Sequence, residues 1–405
     1  MANIYNHFSN SVKYVLEILT NAGFEAYVVG GAVRDALMKR KINDYDITTN
    51  ALPEDVRDLF LENDYKVIDV GIKHGTVMVV KNNVSFEITT YRIETTYSDN
   101  RHPDEVVFSK KLEEDLIRRD FTINAMAASI NGDVIDIFGG IDDINNKVIR
   151  TVGDPNKRFN EDALRMLRAI RFSSKLNFNI SDETSNAIKT NCELIKNVSI
   201  ERINKEMKMI LSYKFGKHLK EYKDLFSIAY NCDKKYLESI LTKIDNFPEH
   251  LMKIAYMLSF VNENEFKNII NNIKISKDSK NKIIAFYNNS KEYTFETLNE
   301  YELKQIMSKY GLDFGFDIIK YICYYNNVDL LMINEKVESL REEVFTIETL
   351  DINGNDLMEL GYYKEQISKA LKILLDLVLK GKVKNEKNAL MRALYDIDID
   401  YMDFM

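Results

Sequence analysis

Strand-forming residues are concentrated in the first third of this 405-residue chain, and that asymmetry constrains the fold more than any other feature. The β-branched and aromatic runs AYVVGG, DYDITT, GTVMVV, VSFEITTYR and DVIDIF alternate there with helix-period stretches such as SVKYVLEILTNAG and PEDVRDLFLEN. From about Asp154 onward the strand signals fade. Segments such as EDALRMLRAIRFSSKL, EHLMKIAYMLSFV and ISKALKILLDLVLKGK instead carry apolar residues at helical spacing. An α+β fold is expected, with a sheet-containing N-terminal domain and an almost wholly helical remainder. Only Pro53, Pro103, Pro155 and Pro248 punctuate the chain, so boundaries near Ile149 and Tyr230 rest on composition.

The length allows two to four domains and a sizeable core. No apolar run approaches the roughly 20 residues that cross a bilayer, and the start MANIYNHFSNSVKY lacks the basic and apolar regions of a signal peptide. A soluble, cytoplasmic protein is expected, with no membrane contact and no obligatory protein partner. Cys192, Cys232 and Cys323 are widely separated and form no metal-ligand spacing, so buried thiols in a reducing compartment are expected. The net charge of -8 argues against indiscriminate nucleic-acid binding, but its distribution is uneven. From Lys147 to Lys220 the chain has 16 Lys/Arg against 8 Asp/Glu, and this basic stretch is where phosphate contacts are expected.

Several clusters carry chemistry. A strand over Ala26–Val29 breaks at Gly30-Gly31, where paired glycines let backbone amides approach a phosphate and Arg34 follows on a first helical turn. Asp44 and Asp46, in Asp44-Tyr45-Asp46-Ile47, would share one face of a second strand, about 7 Å apart. Two such carboxylates repel unless a cation lies between them, which suits Mg²⁺. In Phe86-Glu87-Ile88-Thr89-Thr90-Tyr91, alternation places Glu87, Thr89 and Tyr91 together. Glu87 completes a three-carboxylate site if its strand neighbours the first.

Arg118-Arg119-Asp120 precedes Phe121-Thr122-Ile123-Asn124-Ala125, read as a helix that the aspartate caps while the arginines hold a triphosphate or sugar. On a second helix, Asp162 and Arg165 fall at i and i+3, as do Arg165 and Arg168, a geometry suited to a nucleobase edge. Arg171, half a turn out of phase with Asp162, is assigned another contact, to phosphate or RNA. His74 is given a structural or peripheral role.

In order, GGAVRD, DYDI, EITTYR, RRDFTINA, EDALRMLRAIRF and SIERINKEM resemble the successive signatures of class II tRNA nucleotidyltransferases, within the DNA polymerase β-like superfamily. The resemblance covers roughly residues 20 to 210. It implies a nucleotidyltransferase head over 1–149 with a small mixed sheet, a helical neck over 150–230 that recognises the base and binds RNA, and a helical body and tail over 231–405 that hold tRNA. The implied reaction adds CMP, CMP and AMP from CTP and ATP to the tRNA 3′ end, with Mg²⁺ and without a nucleic-acid template. Asp44 and Asp46 then match the metal ligands and Glu87 a third acidic position. Gly31 and Arg34 match triphosphate contacts, and Arg119 a sugar or phosphate contact. Asp162 and Arg165 match the pair that reads the base, and Arg168 and Arg171 further nucleotide-contacting arginines.

Bacterial poly(A) polymerases and CC- or A-adding paralogues share much of this pattern. The segment from Tyr97 to Val106 resembles the loop that full CCA-adding enzymes use to switch from C to A, with His102 where many relatives have arginine. A non-catalytic RNA-binding protein on the same scaffold is the remaining alternative, and the presence of Asp44, Asp46 and Glu87 together argues against it.

Overall fold

The structure, a computed structural model, describes residues 2–71, 75–94, 106–230, 232–241, 243–294 and 297–395. His74 and the segment from Tyr97 to Glu105, with His102, lie outside them. The chain divides into two compact units, Met1–Leu241 and Thr242–Met405.

The first unit is built on a seven-stranded sheet. Its elements begin with α1 (Asn10–Asn21), β1 (Ala26–Val29), α2 (Gly31–Leu37), β2 (Asp46–Thr49) and α3 (Pro53–Glu62). They continue with β3 (Lys66–Gly71), β4 (Thr76–Lys81), β5 (Val84–Thr90), the short hairpin β6 (Arg92–Glu94) and β7 (Val106–Phe108), then α4 (Leu112–Ile117). β8 (Met126–Ala128), β9 (Val134–Asp136) and α5 (Gly140–Asn145) complete this part. The strand order is β3-β4-β5-β2-β1-β8-β9. All described pairs in this sheet are antiparallel except β2 with β5, which makes it mixed.

The two faces of the sheet meet different environments. On one, Val28, Ile47, Val77, Val79, Phe86 and Ile88 pack with Val12, Val15, Leu16 and Leu19 of α1 and Val56 and Phe60 of α3. The apolar stripe of α1 has a period near 3.6, and Ser9 caps the helix by accepting from the Val12 amide at 3.3 Å. On the other face a smaller cluster joins Val29, Ala127 and Leu116 of α4. Val29, Asp46 and Glu87 lie in register across β1, β2 and β5, so they share this second face.

The rest of the unit is mainly helical. β10 (Val148–Ile149) pairs parallel with β11 (Asn179–Ile180), two short strands that the sequence reading did not anticipate. The helices are α6 (Pro155–Glu161), α7 (Leu164–Leu176), α8 (Asp182–Asn191), α9 (Ile200–Leu211), α10 (Gly216–Glu221), α11 (Lys223–Tyr230) and α12 (Lys234–Ile240). Asp154 caps α6, accepting from the Asn156 amide at 2.9 Å, and Pro155 occupies the first turn, where its missing N–H costs nothing.

The second unit is helical through its described residues, from α13 (His250–Leu258) and α14 (Glu263–Asn272) to α15 (Lys277–Glu292), α16 (Glu300–Tyr310), α17 (Leu312–Asn326) and α18 (Leu330–Leu340). It ends with α19 (Gly354–Glu359), α20 (Lys364–Leu379) and α21 (Lys387–Tyr395). Tyr321, fully buried, sits at the centre of an aromatic cluster with Phe247 and Phe286, whose ring centroids lie 5.2 and 5.0 Å away. No helix among the described residues is long and apolar enough to cross a membrane. The α+β architecture with a helical remainder is as the residue patterns indicated. Of the three thiols only Cys323 is buried; Cys192 and Cys232 are half-buried.

Candidate active site

The carboxylates assemble on the sheet face left open beside α4. β2 starts at Asp46, and Asp44 precedes it in irregular backbone, so the expectation that both lie on one strand is corrected. β2 and β5 run parallel with Asp46 directly opposite Glu87. Asp46 is accessible to solvent yet walled in by protein. Burial pushes its carboxyl above the ordinary range; Arg119 opposes this and Asp44 adds to it. Burial, then the charges of Asp46 and Asp44, raise Glu87 in the same way. Tyr91 is fully buried past the end of β5 and donates to Glu25 at 3.1 Å.

A cation would relieve the raised carboxyls of Asp46 and Glu87, and their hard oxygen donors suit a divalent metal ion such as Mg²⁺. Among the described residues no group of three acidic, His or Cys side chains already has metal-site geometry.

Gly30 closes β1 with φ +70°, a left-handed conformation that suits glycine. A Cβ there would stand 3.3 Å from Arg119 Nη1 and 3.9 Å from Asp46 Oδ2, so this glycine lets the guanidinium and the carboxylate close over the backbone. At Gly31 a Cβ would lie 3.5 Å from Arg34 Nη2. Arg34 is buried, donating to Asn124 Oδ1 at 2.6 Å and to Asp35 at 2.9 Å.

Arg119 is set by Asp115, a residue the sequence reading passed over. Asp115 is fully buried on α4 and accepts from Arg119 at 3.0 Å, from Arg118 at 3.0 Å and from the Thr48 hydroxyl of β2 at 3.2 Å. Burial works against its charge, but the Arg119 and Arg118 guanidinia outweigh it and hold the carboxyl below its usual value. Its stabilising contribution is therefore present above the unfolded carboxylate pKa and is lost as pH falls through the lower folded value. Asp115→Ala would remove the buried carboxylate that the Arg118 and Arg119 guanidinia share, and a loss of about 3–5 kcal/mol is expected. Urea unfolding measures it, and a wild-type midpoint in the variant would contradict the role.

The segment RRDFTINA forms no apolar helix. Asp120 precedes a single 3₁₀ turn, Thr122–Asn124, that leads into β8. Its buried carboxylate accepts from the Phe121 amide at 2.8 Å, from Asn124 at 3.1 Å and from Arg168 Nε at 2.8 Å. The aspartate thus ties this turn to α7 rather than capping a helix.

Asp162 and Arg165 do not lie on one helix, which corrects the i, i+3 reading. Asp162 ends α6 with φ -146° and ψ 104°, and α7 begins only at Leu164. Its side chain and backbone both break the helix there: the carboxylate accepts from the Leu164 amide at 3.1 Å and from Arg202 Nη2 of α9 at 2.9 Å. Arg165, on the first turn of α7, is buried and donates to Glu161 at 2.6 Å and to the Arg118 carbonyl at 3.2 Å. Arg171 pairs with Glu206 of α9, Nε to carboxylate at 3.2 Å.

Nothing local in SIERINKEM marks Arg202 or Glu206 as partners of Asp162 and Arg171, because both contacts span more than 30 residues. Asp115 was legible, because it stands at i-3 and i-4 from the two arginines.

Three family models match consecutive parts of the chain: "Poly A polymerase head domain" over 26–150, "Probable RNA and SrmB-binding site of polymerase A" over 177–222, and tRNA nucleotidyltransferase domain 2 over 242–394. The CCA-adding enzyme of Lactobacillus helveticus is 36% identical over 406 residues, covering 95% of this chain and 96% of that protein. The crystal structure of the Bacillus stearothermophilus CCA-adding enzyme in complex with CTP matches with a TM-score of 0.81 and 30% identity, covering 100% of both chains. A tRNA nucleotidyltransferase complexed with a primer tRNA and an incoming ATP analogue matches at TM-score 0.63 and 25% identity, over 81% of this chain and 98% of that one.

Proposed function

This chain belongs to the class II CCA-adding enzymes, which are nucleotidyltransferases, and from that premise we propose how its own residues act. Its reaction adds CMP, CMP and AMP from CTP and ATP to the tRNA 3′ end, without a nucleic-acid template, and releases pyrophosphate. The observation that carries the assignment of the reacting centre is Asp46 in register with Glu87, beside a glycine turn that admits Arg119.

In this reading Asp44 and Asp46 hold Mg²⁺, with Glu87 as the third acid. The bound ion would lower the pKa of the RNA 3′ hydroxyl and stabilise the departing pyrophosphate. The hydroxyl oxygen bonds to the α-phosphorus as the bond to pyrophosphate breaks, and no covalent enzyme intermediate is needed. Gly31, Arg34 and Arg119 position the triphosphate and sugar. Asp162 and Arg165 read the base edge, and Arg168 and Arg171 make further nucleotide contacts. The head spans 1–149, the neck 150–230, and the body and tail that hold tRNA 231–405. The site of action is the cytoplasm.

The reaction is tested with tRNA transcripts lacking CCA, CA or A, each offered labelled CTP or ATP alone. CMP is expected on the first two, AMP on the third, and nothing from the reverse pairing. AMP runs on every transcript would indicate a poly(A) polymerase, and CMP without AMP a CC-adding enzyme.

An acidic chain binding RNA requires a local basic surface. Lys205 and Lys208 on α9, Lys214 in the link that follows, and Lys217 and Lys220 on α10 are exposed. The tRNA affinity is expected to fall by about 0.7–0.9 log units per log unit of salt for each phosphate neutralised. A salt-independent dissociation constant would contradict phosphate contact.

A further inference from the structure

Three arginines assigned to nucleotide contacts surround one aromatic ring. Phe172, buried on α7, stands edge-on to Phe121 at 5.7 Å between centroids. The guanidinium carbons of Arg171, Arg34 and Arg168 lie 4.5, 5.3 and 5.6 Å from its centroid. Arg168 and Arg171 come from the same helix, whereas Arg34 comes from α2, immediately after the glycine turn. The three cations crowd one another. Burial lowers the Arg171 pKa, and the charges of Arg168 and Arg34 lower it further, against the opposing pull of Glu206 and Asp120.

We propose that Phe172 is a positioning residue for the nucleotide triphosphate: its ring gathers Arg34, Arg168 and Arg171, each already paired with a carboxylate of its own, into one anion-binding cluster. The proposal rests on the assignment of these arginines to the nucleotide. A carboxylate that held three guanidinia together would compete with the incoming phosphates for the same N–H donors. A phenyl face attracts the cations through its quadrupole and accepts no conventional hydrogen bond. Asp35, Asp120 and Glu206 fix the arginines individually, and the ring is the element common to all three. A polyanion can meet several of these guanidinia at once, so the cluster discriminates by charge number rather than by base.

The test compares Phe172→Leu, which keeps apolar bulk but loses the ring, with Phe172→Tyr, which keeps the ring. For Phe172→Leu, KM for CTP, KM for ATP and the inhibition constant of inorganic tripolyphosphate are each expected to rise about tenfold, the scale of losing desolvated cation–π contacts. The order of base preference should stay as in wild type, and Phe172→Tyr should recover most of the loss. If Phe172→Leu lowers the melting temperature yet leaves KM and tripolyphosphate inhibition unchanged, the ring is only packing and the proposal is overturned. Should that variant fail to fold, Phe172→Met carries the same comparison. Arg168→Ala and Arg171→Ala separate the premises. If they weaken tripolyphosphate binding while Phe172→Leu does not, the inference fails alone; if neither arginine variant does, the triphosphate assignment fails with it.

Discussion

Asp46→Ala and Asp44→Ala are each expected to stop incorporation of CMP and AMP alike, by at least ~10²-fold, while tRNA binding stays close to wild type. The scale is that of removing one preorganised electrostatic group from a transition state. The argument starts from the strand register: Asp46 faces Glu87 directly across β2 and β5, and burial with the neighbouring carboxylates raises both. Such a pair is unfavourable by itself and becomes favourable around a cation. Removing either aspartate therefore removes part of the charge that holds the cation, a loss common to both nucleotides. The basic residues of the neck are untouched, which is why RNA affinity should persist. Retention of more than about a tenth of wild-type turnover in Asp46→Ala, well short of the loss expected from such a group, would remove the metal-site assignment.

The parts legible in the sequence are those set by short periods. Alternation placed AYVV and EITT on strands, and helix periodicity separated the sheet-bearing third from the helical remainder. The neighbouring of the Asp46 and Glu87 strands was not derivable, because a parallel pair joins segments some 40 residues apart and nothing local fixes its register. Asp162 misled for a related reason. The run EDALRMLRAIRF has helical composition throughout, but the carboxylate bonds to the Leu164 amide and to Arg202, a competition that ends α6. Asp120 likewise looked like a helix cap because a mostly apolar run, FTINAMAA, follows it, whereas its carboxylate is drawn to Arg168 in another element. The local pattern named the residues; their partners belong to the tertiary structure.

Base choice is proposed to rest on Asp162 and Arg165. Cytosine and adenine each present an amino donor beside a ring-nitrogen acceptor; uracil and guanine present a carbonyl and an N–H. A carboxylate accepts from the amino group and a guanidinium donates to the ring nitrogen. Facing uracil or guanine, both protein groups would be left unpaired, at about 1–3 kcal/mol each. Together these amount to discrimination of about 10²- to 10⁴-fold. Both side chains are held in place by protein partners: the Leu164 amide and Arg202 hold one oxygen each of Asp162, and Glu161 anchors Arg165. The direct measurement is incorporation from all four nucleoside triphosphates on tRNA lacking CCA, for wild type, Asp162→Ala and Arg165→Ala. Wild type should use CTP and then ATP, and in both variants the preference over UTP and GTP should collapse toward unity as the rate falls. If both variants still chose CTP and ATP as strictly as wild type, these two side chains would not be the template.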